Sequence, residues 1–239
     1  MGKALIIKNA DFSLNGMPSE FVRLSWIGGS TANESFINSG VFWGNKVSSF
    51  NDEMEFCVQL DATDLVTDNF RSMGAKINDY TNCNVWFTQS DTGYFFGNVK
   101  GSTGASSFDG EWHTIKLSKN GCVYDGTLHA FTKNTVTNET QTEPTIYTGT
   151  SPAPSAVYGD IPIYIDCASN RANTSTKNLY IDGPSSAMKI AWVKYRRNGT
   201  LILDAIPVKR KSDDKICFYD RVTGAYMGKN DNTNPTYSL

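Results

Sequence analysis

The sequence has no long apolar run, no cysteine pair at metal-binding spacing, almost no helical periodicity and only two histidines in 239 residues. Each deficit removes a class of function. A bilayer span needs about 20 consecutive apolar residues and the runs here are strand-sized, so membrane insertion is not expected. The amino terminus offers only the apolar run Ala4 to Ile7, well short of the roughly 7 to 15 residues of a secretory leader core, so classical secretion is not expected. Five cysteines, Cys57, Cys83, Cys122, Cys167 and Cys217, are widely spaced and odd in number, which argues against zinc and against a disulfide framework. Cys57 and Cys217 sit in apolar runs and read as reduced, buried small hydrophobes. With 22 Lys plus Arg against 24 Asp plus Glu and a net charge of -2, no electrostatic footprint marks a nucleic acid partner.

What is present is β-sheet. Short runs rich in β-branched and aromatic residues recur between Gly, Asn, Asp and Ser clusters, the pattern of an all-β chain. Strands are expected at Ala4 to Lys8, Phe21 to Trp26, Met54 to Leu60, Val85 to Gln89, Tyr94 to Val99, His113 to Leu117, Cys122 to Tyr124, Thr127 to Thr132, Ile161 to Cys167, Lys189 to Arg196 and Thr200 to Val208. About a dozen strands is the scale of an antiparallel β-sandwich. Asn120-Gly121, Asp125-Gly126 and Asn198-Gly199 separate such runs and supply the positive φ of a tight hairpin. Along the expected strand Met54 to Leu60, Met54, Phe56, Val58 and Leu60 share one face, with Glu55, Cys57 and Gln59 on the other. Two regions depart from this rhythm. Residues 132–154 are rich in Thr, Asn and Pro and read as a long surface excursion. Residues 1–20 hold one short strand cut off by Asn15-Gly16 and Pro18, a segment suited to docking on a neighbour, while 21–239 forms a single sandwich domain.

Catalytic chemistry finds few carriers. His113 shares a face with Ile115 and Leu117 and reads as a packed strand histidine. Gly28-Gly29-Ser30 is an ordinary turn and lacks the G-x-S-x-G elbow. Sandwich-fold glycosidases carry E-x-D-x-x-E on one strand; here Glu53 and Glu55 share a face but no third carboxylate follows at the right offset. No enzyme activity is expected. Asp61, Asp64 and Asp68, and the more scattered Asp160, Asp166 and Asp182, form no recognisable metal loop and read as solvated carboxylates, so no cofactor is expected and calcium is the one ion left open. Lys209-Arg210-Lys211 is followed at once by Asp213 and Asp214 and reads as a solvated turn.

Three segments carry a family resemblance. Ser107-Phe108-Asp109-Gly110-Glu111-Trp112-His113-Thr114-Ile115, with Asn120-Gly121 and Asp125-Gly126 after it, resembles the D-G-x-W-H hairpin of laminin-G-like domains, in which Trp112 is expected to anchor the core edge. The carboxy-terminal pattern of Trp192, Tyr195, Asn198, Gly199, Leu201, Asp204, Pro207, Tyr219, Asp220 and Gly224 is similar to the last strands of phage-encoded laminin-G-like tail and virion proteins, departing from them at Asp214, where they carry a turn glycine. Trp26, Ile27, Gly29, Phe36, Ile37, Ser39 and Gly40 keep the spacing of that family's opening strands.

The resemblance implies a jelly-roll sandwich of the laminin-G, concanavalin A-like type. It further implies a non-catalytic structural or host-attachment part of a bacteriophage particle, multivalent in the virion, contacting other virion proteins and a host cell-surface glycan. Tyr80, Trp86 and Tyr94 are the expected ligand-binding aromatics. A secreted or surface bacterial lectin or adhesin in an extracellular setting is the alternative, and a sandwich-fold glycoside hydrolase a more distant one.

Overall fold

The structure, a computed structural model, describes residues 17–28, 37–42, 52–60, 71–77, 81–87, 91–97, 99–118, 120–130, 162–165, 168–173, 178–182, 188–228 and 237–239. The expected strand at Ala4 to Lys8 and the excursion at 132–154 lie outside these residues. Among the described residues every regular element is a strand, and no helix is long and apolar enough to cross a membrane.

Two sheets result. Sheet A is ordered β11 (Thr127–Ala130), β10 (Gly121–Tyr124), β9 (Trp112–Ser118), β4 (Glu53–Leu60), β15 (Met188–Arg197), β16 (Thr200–Arg210), β17 (Ile216–Asp220) and β18 (Tyr226–Met227). Three short strands join it from the side: β1 (Phe21–Arg23), β2 (Trp26–Gly28) and β19 (Tyr237–Ser238). Sheet B is ordered β14 (Asn178–Asp182), β13 (Ala168–Asn173), β5 (Arg71–Ile77), β6 (Thr81–Phe87), β7 (Thr92–Gly97) and β8 (Val99–Ser102), with β12 (Pro162–Ile165) and β3 (Ile37–Phe42) alongside. The pairing is antiparallel throughout sheet A. Sheet B departs from the expected all-antiparallel pattern at one place, where β13 runs parallel to β5 with Ala168 opposite Gly74.

The sheets share one core, a β-sandwich-like arrangement. Met54, Phe56, Val58 and Leu60 are fully buried, as their alternation requires, and meet Ile115 and Leu117 of β9, Ile190, Val193 and Tyr195 of β15, and Val85, Phe87 and Tyr94 of sheet B. Phe56 and Phe87 meet edge to face with centroids 6.4 Å apart, the geometry that the ring quadrupoles favour. Trp112 does not anchor this core. His113, Ile115 and Leu117 take the inner positions of β9, so alternation turns Trp112 to the opposite face, where it is half-buried.

The outer face of sheet A carries a smaller apolar cluster of Phe21, Ile206, Val208, Cys217 and Tyr219, with Trp192 and Met17 packed against it. This explains why β1 and β2 exist. Hairpin strands β15 and β16 pair from Val193 to Arg197 and then diverge; Phe21–Arg23 pairs with β16 and Trp26–Gly28 with β15, so the incoming chain fills the fork. Carboxy-terminal Tyr237 in turn pairs with Ile27.

The turns follow their chemistry. Asp125-Gly126 (φ 46° and 83°) and Asn198-Gly199 (φ 49° and 79°) both adopt two successive left-handed residues, the requirement of a type I′ hairpin. Asn120-Gly121 works differently: Gly121 is already paired with Ser118, and a Cβ there would lie 2.2 Å from the His129 carbonyl oxygen. Asp214, standing where the resembling family carries glycine, has φ 55° and so keeps the left-handed turn with a residue that tolerates it less freely than glycine does. Its carboxylate reaches Lys209 at 3.0 Å but is largely exposed, so that ion pair contributes little. Asp214→Gly is therefore expected to leave stability unchanged or raise it by up to about 1 kcal/mol in urea unfolding; a clear loss would show that the carboxylate outweighs the backbone.

Candidate functional site

The richest polar constellation lies at the hairpin β9–β10. Asp109-Gly110 turns the chain into β9, with Gly110 at φ 80° and its N–H donated to the Leu60 carbonyl. Asp125 turns β10 into β11, and its Oδ1 accepts the Thr114 N–H at 2.8 Å. Between the two turns stands His113, only 6% exposed. Its Nε2 lies 2.9 Å from Asp109 Oδ1, and its Nδ1 lies 2.7 Å from Asp125 Oδ2 and 2.8 Å from the Tyr124 hydroxyl. The Tyr124 ring stacks on the imidazole at 4.9 Å. From Tyr124 the network continues inward to Ser107 at 3.1 Å and from Ser107 to Thr92 of β7 at 2.5 Å, tying sheet B to the hairpin.

The electrostatics follow from position. Burial works to raise the Asp109 carboxyl, but the hydrogen bond from His113, the Glu111 N–H and the His113 charge together hold it below its ordinary value of 3.8. Burial pushes the Tyr124 hydroxyl up, so it stays a neutral donor and acceptor. A carboxyl depressed in the folded state adds stability that is complete above its unfolded value and is lost as pH falls through the folded one. Because Asp109 is about half exposed, with 48% of its side chain accessible, solvent screens most of this. The stability gap between the wild-type chain and Asp109→Asn should therefore be small at neutral pH and close further below about pH 4, as read by chemical unfolding across pH. A gap that widened in acid would contradict this assignment.

Chemically, both imidazole nitrogens have acceptors or donors already, and Ser107 and Thr92 are fully buried. The arrangement clamps two turns and a sheet junction. Glu53 and Glu55, the carboxylates compared with a glycosidase strand, face outward and pair with Lys116 at 3.3 Å and Arg196 at 3.0 Å.

A second charged cluster, unforeseen in the sequence, sits on the outer face of sheet A. Arg23 donates to the Pro207 and Ala191 carbonyls, bridging the fork of β15 and β16. Burial first, and the neighbouring Arg221 second, lower its guanidinium to about 10, while Asp204 opposes them. Arg221 donates to Asp204 Oδ2 at 2.6 Å. Asp220 receives the N–H groups of Asp204, Val222 and Thr223 and closes the turn that ends in left-handed Gly224. The motif Tyr219-Asp220 through Gly224 thus encodes an Asx-type turn; nothing local announces the pairing of Arg23 with a strand near the other end of the chain.

Of the expected ligand aromatics, Tyr94 turns into the core. Tyr80 lies outside the described residues. Trp86 is in β6 opposite Ser72 and Gly93, and Tyr94 is in the core at 1% exposure, its hydroxyl donating to the His129 carbonyl at 2.6 Å. The buried environment of Tyr94 follows from Val85 and Phe87 filling the same inner layer. Asp61, Asp64, Asp68, Asp160 and Asp166 lie outside the described residues, and among those described no three His, Cys, Asp or Glu side chains converge to hold a metal. Lys209, Arg210 and Lys211 bond to Asp214, Asp213 and the Ser19 carbonyl; Lys211 lies in the turn, whereas Lys209 and Arg210 are the partly buried end of β16 and not a solvated turn.

Cys57, Cys122 and Cys217 are buried free thiols, pushed up by burial to about 12, 12 and 11. All three are expected to resist iodoacetamide in the native state and to react once the chain is unfolded, checked by peptide mass mapping. Native labelling of any of them would contradict the packing described.

No family model, no curated protein and no solved structure matches this chain.

Proposed function

We propose that the chain is a laminin-G-like, concanavalin A-like jelly-roll module that serves as a non-catalytic structural or host-attachment part of a bacteriophage particle. The observation that carries this reading is the hairpin from Asp109 to Gly126: it has the laminin-G-like sequence pattern, and its reactive groups bond to one another across two turns. His113 is engaged at both nitrogens. Such a clamp favours a rigid displayed module over a centre that must exchange protons with a substrate. The carboxy-terminal Asp220 turn adds the second motif of the resemblance in a physically coherent form. Its contacts are other virion proteins and a glycan of the host surface, where many weak sites on one particle yield strong avidity.

Mass spectrometry and labelled-antibody microscopy of purified particles test the assignment. The chain is expected at a fixed copy number on the particle; its absence from every particle defeats the reading. Incubation with a polysaccharide panel is expected to release no reducing ends, and clear turnover would make it an enzyme.

A further inference from the structure

The face of sheet A turned away from sheet B carries an aromatic and charged array beside its smaller apolar cluster, against which Trp192 also packs. Pairing registers set Trp112, Gln59 and Lys189 in one cross-strand row, Thr114, Cys57 and Trp192 in the next, and Lys116, Glu55 and Lys194 in a third. Trp26 on β2 adjoins the first row, with Lys189 Nζ 5.4 Å from its ring centroid. Lys194 Nζ lies 4.9 Å from the Trp192 ring. Three of the chain's five tryptophans, Trp26, Trp112 and Trp192, are thus on one face, all partly accessible. Trp26 and Trp112 belong to strands β2 and β9, three positions apart in the sheet at this level, a span of about 14 Å.

The charges are unequal. Lys116 pairs with Glu53 and Arg196 with Glu55, whereas Lys189 and Lys194 have no carboxylate partner among the described residues. Lys189 donates instead to the Gln59 amide oxygen at 3.1 Å. Among the described residues these two ammonium groups meet indole rings and an amide but no carboxylate, and a ring quadrupole holds a cation more weakly than a carboxylate does, so an arriving anion can compete for them.

We propose that this face binds an acidic oligosaccharide, a chain of sugar rings bearing carboxylates; this deepens the attachment reading and rests on it. The C–H faces of sugar rings pack on partly exposed indoles, Gln59 offers amide hydrogen bonds to hydroxyls, and Lys189 and Lys194 take the carboxylates. A nucleic acid fits less well, since pairing of Lys116 and Arg196 with Glu53 and Glu55 leaves two ammonium groups, fewer than a continuous phosphate backbone calls for. The free charge is of the sign that an acidic glycan needs and is set between aromatic surfaces, which a neutral glycan does not require.

Titration of the full chain with oligogalacturonate, with dextran of matched length and with polyphosphate, followed by tryptophan fluorescence and calorimetry, tests this. Saturable binding of oligogalacturonate is expected, with dextran and polyphosphate both much weaker. The double substitution Lys189→Gln and Lys194→Gln should weaken oligogalacturonate about tenfold at an unchanged melting temperature. Trp112→Ala should weaken it too, and the lysine variant decides the matter if Trp112→Ala fails to fold. No binding, unchanged binding in the lysine variant, dextran bound as tightly, or polyphosphate bound as tightly would each overturn the proposal. A chain present on particles that ignores oligogalacturonate sinks this inference alone; a chain absent from particles that binds it sinks the virion assignment alone.

Discussion

Replacing Phe56 with alanine is expected to remove about 3–5 kcal/mol of stability and to lower the melting temperature by roughly 10 °C. Phe56 is fully buried at the middle of β4, the strand to which both β9 and β15 pair, and its ring meets Phe87 across the gap between the sheets. The loss has two sources. The ring's transfer from water no longer contributes, and a cavity remains because hydrogen-bonded strands on either side of β4 hold the backbone in place. Phe56→Leu, which keeps most of the volume, should lose much less. Equal losses in the two variants, measured by equilibrium urea unfolding, would mean that the two sheets do not depend on this contact.

Asp204→Asn is the other substitution with a large expected effect, again about 3–5 kcal/mol. The side chain is nearly isosteric, so packing is retained and the change is one of charge. Asp204 is 7% exposed and lies between Arg221, which donates to it, and Arg23, whose guanidinium burial already disfavours. Without the carboxylate, two partly buried cations face each other at the fork of β15 and β16. Asp204 Oδ1 and Arg221 Nε are buried with no hydrogen-bond partner among the described residues, so the cluster has little spare bonding to absorb the change. Adding Arg221→Met to Asp204→Asn should restore part of the loss, because one of the two cations then disappears. A double variant no more stable than Asp204→Asn would remove the electrostatic explanation. A thermodynamic cycle over the four proteins measures the coupling.

Legibility in the sequence varied with locality. The alternation of β4, the left-handed Asp125-Gly126 and Asn198-Gly199 turns and the inward face of His113 were all readable, since a strand's period of two and a turn's positive φ depend on a few adjacent residues. Strand β5, Arg71-Ser-Met-Gly-Ala-Lys-Ile77, was missed because it has few β-branched or aromatic residues; its place between β6 and β13 supplies the hydrogen bonds that its composition does not advertise. The same limit applies to β13, Ala168–Asn173. The motif points Trp112 to the core, although the alternation that turns His113 inward requires the opposite face for it.

The candidate sites divide in the same way. His113 stood out as a chemically capable residue, but that both ring nitrogens meet carboxylates needed Asp109 and Asp125 brought together by two separate turns. The Arg23, Asp204 and Arg221 cluster joins strands from opposite ends of the chain, and the outer-face row of Trp112, Gln59 and Lys189 joins three. What the sequence by itself determined was therefore the all-β character, the hairpin turns and which side of each well-patterned strand is apolar, because those are set by neighbours along the chain. Which strands lie side by side, and hence which tryptophans and lysines share a surface, was decided only by the tertiary structure, because strand pairing is a choice among distant partners with equivalent backbone hydrogen bonds.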